Sequence, residues 1–264
     1  GELYCEGVPV QRIADTVGTP LYVYSTATLL HHYDRIQTAF AELKPIICYS
    51  IKSCMNMHIC RLLAEHGAGF DVVSGGELYR ALQAGADPAR IVYAGVGKTD
   101  PEIRQAIEAQ IGWFNVESEP ELENLQQIAS SLGTCVRAAL RINPDVDPKT
   151  HRYTSTGKKE TKFGVDLERA KRVFEQYAQR PGVDLCGLHL HIGSPVNTIQ
   201  PYIEAVEKAI ALIDDLKRSG FEINTLDIGG GFGANYESTE APAATEYARA
   251  IVPLLSGKPY TIIM

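Results

Sequence analysis

The sequence lacks the features that mark membrane, secreted and nucleic-acid-binding proteins. No apolar run approaches the roughly 20 residues of a membrane span, and the first residues show neither the basic start nor the apolar core of a signal peptide. With 25 Lys and Arg against 32 Asp and Glu, the net charge of −7 leaves no basic excess to neutralise phosphates. These absences favour a cytoplasmic protein with neither a nucleic-acid partner nor a membrane partner.

The cysteines are scattered, without a CxxC pair and without the spacing of zinc ligands. They are Cys5, Cys48, Cys54, Cys60, Cys135 and Cys186. Reduced, mostly buried thiols are the simplest interpretation, and no metal is expected.

What the sequence has in abundance is an alternation of short apolar runs with helical patterns. The runs are rich in Val, Ile and aromatic residues and are bounded by Gly, Pro or Asp, which is typical of strands buried on both faces. They cover 45–52, 69–74, 91–96, 112–118, 137–143, 185–193, 225–232 and 260–264. This repetition predicts a (β/α)8 barrel whose eighth strand ends the chain. A doubly wound open sheet, which usually has fewer strands, is the alternative.

Several segments between the runs have helical spacing. In each of three predicted helices, apolar residues at this spacing form one buried face. These faces consist of Met55, Ile59, Leu62 and Leu63 in the first helix, of Ile103, Ala106 and Ile107 in the second, and of Val206, Ile210 and Ile213 in the third. Another helix is predicted to begin at a capping box formed by Ser118 and Glu121. Residues 20–25 are predicted to form an additional strand before the first helix.

Lys52 is unusual because it stands near the end of an apolar run. Alternation along a strand places Cys48, Ser50 and Lys52 on one face. A lysine that faces a dry interior is costly while charged, and its neutral amine can bond to a carbonyl substrate or to pyridoxal phosphate. The alternatives are a solvated strand end or an ion pair with Asp71.

The glycine-rich segment "DIGGGFG" is the second chemical signal. Its consecutive backbone N–H groups have no side chains to block a phosphate, and barrels often bind phosphate after strands seven and eight. The alternative is a tight turn that needs glycine. Ser194, after "HIG", can add a hydroxyl to the same phosphate.

Three further polar side chains lie in otherwise apolar runs. His189 and His191 share a strand face, so they can form a metal pair, or His191 can stack on a flat cofactor; for His189 a hydrogen-bonded core position is preferred. Arg141 is expected to meet an anion or an internal Asp.

Six ordered motifs resemble the barrel domain of the fold-type III pyridoxal-phosphate decarboxylases, whose barrel is like that of alanine racemase. They are "CYSIK", "GAGFDVVSGGELYRALQAGADPARIVYAGVGKTDPEI", "LRINPDVDP", "KFGV", "GLHLHIGS" and "DIGGGFG", and the resemblance runs from about residue 20 to residue 264. It implies pyridoxal phosphate as cofactor and an amino acid as substrate. Because "FDVVSGGEL" and "GKTDPEI" resemble the branch acting on meso-2,6-diaminopimelate, conversion of that substrate to L-lysine is expected. The alternatives are decarboxylation of ornithine, arginine or another amino acid, or a barrel that holds the cofactor without catalysis.

The resemblance also implies roles for individual residues. Lys52 would bind the cofactor covalently, His191 would stack on the pyridine ring near Asp71, and Arg141 would approach the ring's phenolic oxygen. The phosphate would be bound by Ser194, Gly229, Gly230 and Gly231. Lys52 and His191 are thus the candidate catalytic residues.

Some positions depart from the family pattern or fall outside this chain. The family usually shows Lys-Ala-Asn at strand one, whereas Ser53 and Cys54 follow Lys52 here. The family's Glu-Pro-Gly-Arg motif and C-terminal β domain, absent from this chain, would come after Met264, with an active site shared across a homodimer. Residues 1–26 are expected to join that β domain, and residues 27–264 to form the barrel. The polar loop 147–164 is either a lid over the substrate or a solvated loop.

Overall fold

The computed structural model describes residues 1–147, 163–234 and 241–264. Its strands are β1 (Tyr4–Cys5), β2 (Val8–Pro9), β3 (Cys48–Ser50), β4 (Gly69–Val72), β5 (Ile91–Tyr93), β6 (Trp113–Val116), β7 (Val136–Asn143), β8 (Val165–Asp166), β9 (Val183–Leu190), β10 (Thr225–Asp227) and β11 (Thr261–Ile263). Its helices are α1 (Val10–Val17), α2 (Thr26–Ala39), α3 (Met57–Glu65), α4 (Gly75–Gln83), α5 (Asp100–Glu108), α6 (Glu119–Ser131), α7 (Leu167–Tyr177), α8 (Gln200–Arg218) and α9 (Ala244–Leu255). The predicted lid at 147–164 lies almost entirely outside the described residues.

The main sheet is parallel and closes on itself. Its strand order is β11-β10-β9-β7-β6-β5-β4-β3, and the short β8 pairs with the end of β7. Backbone hydrogen bonds join the two edges: Ile46 N–H donates to Ile262 at 2.8 Å, and Met264 N–H donates to Ile46 at 3.0 Å. The predicted (β/α)8 barrel is therefore confirmed, and the open-sheet alternative is wrong because the first and last strands are bonded neighbours.

The helices begin and pack as their sequences predict in several places. The Ser118 hydroxyl accepts from the Glu121 N–H at the start of α6, as an N-cap does. The other half of the predicted capping box is not found, because the Glu121 carboxylate accepts from the Glu117 N–H and from Lys98 instead. The predicted apolar face of α5 is buried against the barrel at Ile103, Ala106 and Ile107. Burying each of the two isoleucines contributes about 1.5–3 kcal/mol, so this face attaches the helix to the barrel.

The apolar face predicted for the helix that begins near Met55 is wrong at Met55 itself. Met55 is 49% exposed and precedes α3. The Asn56 side chain accepts from the His58 N–H at 2.9 Å and so begins the helix at Met57. The cap determines where the apolar face begins.

Two strand predictions are also corrected. Residues 20–25 form no strand; Tyr22 is 90% exposed, and Tyr24 also faces solvent, because this segment is not paired with a neighbouring strand in the described structure. The seventh predicted strand is limited to Thr225–Asp227, and the glycines after it form a turn. The described helices include none that is both long and apolar enough to cross a membrane.

Candidate active site

A cavity of about 540 Å³ opens at the carboxyl ends of the barrel strands. This is the end at which barrels carry their catalytic groups. Its lining includes all eight predicted site residues: Lys52, Asp71, Arg141, His191, Ser194, Gly229, Gly230 and Gly231. Residues from position 52 to position 231 of the 264 are thus brought to one place.

Lys52 lies just beyond β3, in a 3-10 turn formed by Ile51–Ser53. Its side chain is 60% exposed, and its Nζ lies 3.9 Å from an Asp71 carboxylate oxygen. The expectation that Lys52 faces a dry interior is wrong, because the turn interrupts the alternation of the strand. An exposed ion pair of this kind contributes at most about 1 kcal/mol, so the amine remains accessible from the cavity.

Asp71 is held in place by its neighbour across the sheet. Ser50 and Asp71 are opposite each other in the β3–β4 register, and the Ser50 hydroxyl donates to the Asp71 carboxylate at 2.8 Å. This hydrogen bond orients the carboxylate toward the lysine turn. Just after the lysine turn, the Cys54 thiol lies 3.8 Å from the Tyr24 hydroxyl.

The glycine turn after β10 lies very close to the loop after β9. Gly229 and Gly231 have φ of +65° and +86°, a region that side chains disfavour. A Cβ on Gly231 would strike the Gly193 carbonyl, whereas one on Gly230 would meet open space. The turn is further held by Val196, whose N–H donates to the Gly231 carbonyl at 2.8 Å. Such a side-chain-free backbone suits a bound phosphate.

A buried polar group formed by Asn115, His189 and Asp227 lies among the cavity-lining residues. The Asn115 amide donates to one Asp227 carboxylate oxygen at 2.7 Å, and the other oxygen accepts from the Gly229 N–H at 2.8 Å. Burial raises the pKa of Asp227 to about 6. Asp227 therefore connects the glycine turn to the barrel interior.

His189 is a core residue, as preferred from the sequence, but the predicted hydrogen bonding is not found. Its Nε2 is 3.9 Å from Asp227, and its Nδ1 has no hydrogen-bond partner among the residues that the structure describes. Burial lowers the pKa of His189 well below 6.5, so at neutral pH the contact with Asp227 is not an ion pair. In the described ranges, no three His, Cys, Asp or Glu side chains are grouped as metal ligands.

His191 lines the cavity at the end of the same strand. Burial lowers the pKa of His191 to about 3, with further contributions from Arg141 and Lys52. The imidazole is therefore neutral at physiological pH, and a neutral flat ring suits contact with an aromatic cofactor.

Arg141, on β7, forms a buried ion pair with Glu117, which follows β6. The distance between Arg141 Nη1 and the Glu117 carboxylate is 2.9 Å, and the Phe163 ring lies 4.9 Å from the guanidinium. The predicted internal partner thus exists, but it is a glutamate. The pair fixes the arginine within the cavity wall.

The cavity retains polar atoms that its own residues leave unsatisfied. In the described part of the chain, four residues that line the cavity have a buried side-chain atom without a hydrogen-bond partner: Asn115 Oδ1, Glu117 Oε2, Arg141 Nε and His189 Nδ1. Buried polar atoms usually have partners. These unpaired atoms, the neutral His191 ring and the open space at Gly230 fit a flat, polar, phosphorylated group.

Sequence reasoning missed Ser50, Asn115, Glu117 and Asp227 as site residues. Asn115 and Glu117 could have been found, because they lie two positions apart in an apolar strand and so share a face. Asp227 is the first residue of the glycine motif, and the motif by itself indicates only that it flanks the turn.

Asp227→Asn should change the pH dependence of stability. The folded state holds the Asp227 proton up to pH about 6, whereas the unfolded carboxyl loses it near pH 3.9. The wild-type free energy of unfolding should therefore fall relative to Asp227→Asn by up to about 3 kcal/mol as pH rises from about 4 to 7. Urea unfolding of both proteins measures this difference.

His189 and His191 change the free energy of unfolding with pH in the opposite direction to Asp227. Comparing the wild type with Asp227→Asn removes their effect. His189 and His191 have lowered pKa values, so each stabilises the fold above pH about 6.5 and loses that contribution as pH falls. Both proteins retain them. A difference between the proteins that stays constant from pH 4 to 7 would contradict the assignment to Asp227.

Fold and site together define a parallel barrel that offers an accessible lysine, a neutral histidine and a glycine turn at its strand ends. A family model described as "Pyridoxal-dependent decarboxylase, pyridoxal binding domain" matches residues 26–261. The chain belongs to this family, and its cofactor is pyridoxal phosphate.

Relatives and solved structures agree with this assignment. The diaminopimelate decarboxylase of Aquifex aeolicus is 46% identical over 265 aligned residues, covering 100% of this chain and 63% of that protein. The crystal structure of Helicobacter pylori diaminopimelate decarboxylase complexed with L-lysine matches with a TM-score of 0.92 and 40% identity, over 96% of this chain and 64% of that one. The lysine/ornithine decarboxylase of Vibrio vulnificus, at 23% identity over 96% of this chain and 64% of that one, has a TM-score of 0.82 and shows the fold alone. The chain thus spans less than two thirds of the length of each of these proteins.

Proposed function

We propose that this chain is the cofactor-binding barrel of an enzyme that decarboxylates meso-2,6-diaminopimelate to L-lysine. The observation that carries the proposal is the meeting of all eight predicted cofactor residues in one cavity at the strand ends. The choice of substrate is supported by diaminopimelate decarboxylases that are 40–46% identical over nearly the whole chain.

The residues of the cavity have distinct proposed roles. Lys52 Nζ would hold the cofactor covalently, and as a free amine it would serve as an acid or a base for proton transfer. The Asp71 carboxylate, 3.9 Å from that Nζ, forms an ion pair with the lysine side chain. The neutral His191 ring would lie against the cofactor ring, and Arg141 would approach its phenolic oxygen.

The phosphate is proposed to lie at the glycine turn. Gly229, Gly230 and Gly231 offer backbone N–H groups, and Ser194 adds its hydroxyl. Pyridoxal phosphate, when bound, is the electron sink that accepts the pair left at Cα as CO2 departs. The protein positions the cofactor, holds Arg141 in a fixed ion pair with Glu117, and supplies a lysine that can move a proton.

The proposal predicts the substrate preference of the full-length protein. With pyridoxal phosphate present, CO2 release from meso-diaminopimelate should exceed release from ornithine or arginine by at least about a hundredfold, because a site built to pair with a substrate's polar groups rejects analogues that lack them. Release mainly from ornithine would leave the fold and cofactor in place but overturn the substrate. Cofactor binding without CO2 release from any amino acid would favour the non-catalytic barrel.

The assembly and location are part of the same proposal. We infer a cytoplasmic homodimer in which residues 1–26 join a further β domain and the partner subunit completes each active site. The small hairpin β1–β2 and helix α1 precede the barrel helix α2, which is compatible with that division. Sedimentation of the full-length protein at micromolar concentration should give the mass of a dimer.

A further inference from the structure

Lys98 is a buried charge outside the set of residues that line the cavity. It precedes α5, and only 2% of its side chain is exposed. Its ammonium donates to the Gly95 carbonyl at 2.7 Å, to the Asn115 carbonyl at 2.8 Å and to the Glu121 carboxylate at 2.6 Å. One lysine thus joins the loop after β5, the strand β6 and the first turn of α6.

The Glu121 carboxylate continues this connection toward the cavity. One oxygen accepts from Lys98, and the other accepts from the Glu117 N–H at 3.0 Å. Burial raises the pKa of Glu121, while Lys98 acts to lower it. Without Lys98, this buried carboxylate would lose the only cation that pairs with it among the described residues.

Glu117 is the last link before the cavity. Its backbone is held by Glu121, and its own carboxylate holds Arg141 at 2.9 Å. Glu117 and Arg141 line the cavity, whereas Lys98 and Glu121 do not. Any effect of Lys98 on the cofactor therefore has to pass through other residues.

We propose that Lys98 is a positioning residue that sets the orientation of Arg141 toward the cofactor, acting through Glu121 and Glu117. This inference rests on the proposed cofactor site. A buried ion pair contributes little net stability, but loss of one partner leaves an uncompensated charge that shifts its neighbours. The cofactor's ring oxygen would then lose its fixed cation.

The test is a double-mutant cycle on pyridoxal phosphate affinity in the full-length protein. Lys98→Met should raise the cofactor Kd about tenfold and shift the visible absorption band of the bound cofactor, comparable to losses seen when partners of metal ligands are removed. In a Glu117→Leu background the same substitution should change Kd less than threefold, because leucine has no acceptor for Arg141 and the link is already broken. Equal effects of Lys98→Met in both backgrounds would overturn the proposal.

A second variant and a matched control separate positioning from folding. Glu121→Gln keeps one acceptor and should give an intermediate rise in Kd with the same direction of spectral shift. Gln126→Leu removes a buried 2.9 Å hydrogen bond to the Tyr177 carbonyl in the same helix α6, so it should lower Tm but leave Kd and spectrum unchanged. If Lys98→Met and Glu121→Gln behave like Gln126→Leu, Lys98 is only structural. If the wild type binds no pyridoxal phosphate at Lys52, the proposed function fails as well.

Discussion

Replacing Lys52 with methionine should abolish covalent retention of pyridoxal phosphate and lower CO2 release by at least about a thousandfold. The amine is the only group on the lysine that can bond to the cofactor, and removal of a covalent catalyst usually costs several orders of magnitude in rate. Methionine keeps most of the side-chain volume. The effect on stability should be small because the lysine is 60% exposed and its ion pair is weak.

The measurement is reduction with borohydride followed by peptide mapping. Wild-type protein should carry the reduced cofactor on Lys52, and the variant should carry none there. Lys98 is an internal control, since its ammonium is engaged by three acceptors and is almost fully buried. Lys171→Met is a matched surface control that removes a 2.9 Å ion pair with Asp215 and should leave labelling intact. A label found mainly on Lys98 or Lys162 would refute the assignment of Lys52.

Gly231→Ala should destabilise the fold far more than Gly230→Ala, although the two glycines are adjacent. Alanine at φ +86° costs about 1–2 kcal/mol, and its methyl group would strike the Gly193 carbonyl. Overpacking of that kind adds about 1–3 kcal/mol. The expected loss in the free energy of unfolding is therefore about 2–5 kcal/mol for Gly231→Ala.

Gly230 is the matched control for this comparison. Its φ lies outside the positive range and a Cβ there meets open space, so Gly230→Ala should change the free energy of unfolding by less than about 0.5 kcal/mol. Urea unfolding without added cofactor measures both. Equal losses for the two variants would show that the close approach of the β9 and β10 loops does not depend on glycine at 231.

Much of the fold can be predicted from local sequence pattern, and the errors of that prediction have local causes. The alternation of apolar runs and apolar helix faces was enough to predict the barrel, because each unit repeats the same burial on both strand faces. The strand at 20–25 was wrong because alternation alone does not provide a bonded neighbour. The helix begins at Met57 and not at Met55, because the Asn56 side chain caps it there and the apolar Met55 is left outside the helix.

For the site, the sequence predicted the positions of residues along the chain better than their exposure and their partners. Lys52 was correctly predicted to lie at the end of strand one. Its exposure was predicted wrongly, because the 3-10 turn that contains it interrupts the alternation of side chains along the strand. The lysine's ion pair with Asp71 was considered only as an alternative, and the structure contains it at 3.9 Å. Arg141 was expected to meet an anion or an internal Asp, and its partner Glu117 could be chosen only when the order of the strands was known.

The sequence alone determined the repeating βα unit, the glycine turn and which reactive side chains stand at strand ends, because these depend on spacing along the chain. The tertiary structure decided which of those side chains meet. Asn115 and Asp227 are 112 positions apart yet share a 2.7 Å hydrogen bond, and Lys98 reaches Glu121 only because β5 and β6 are neighbours. Closure of the barrel through Ile46 and Met264 brings the first strand beside the last. That closure places the lysine turn and the glycine turn around one cavity.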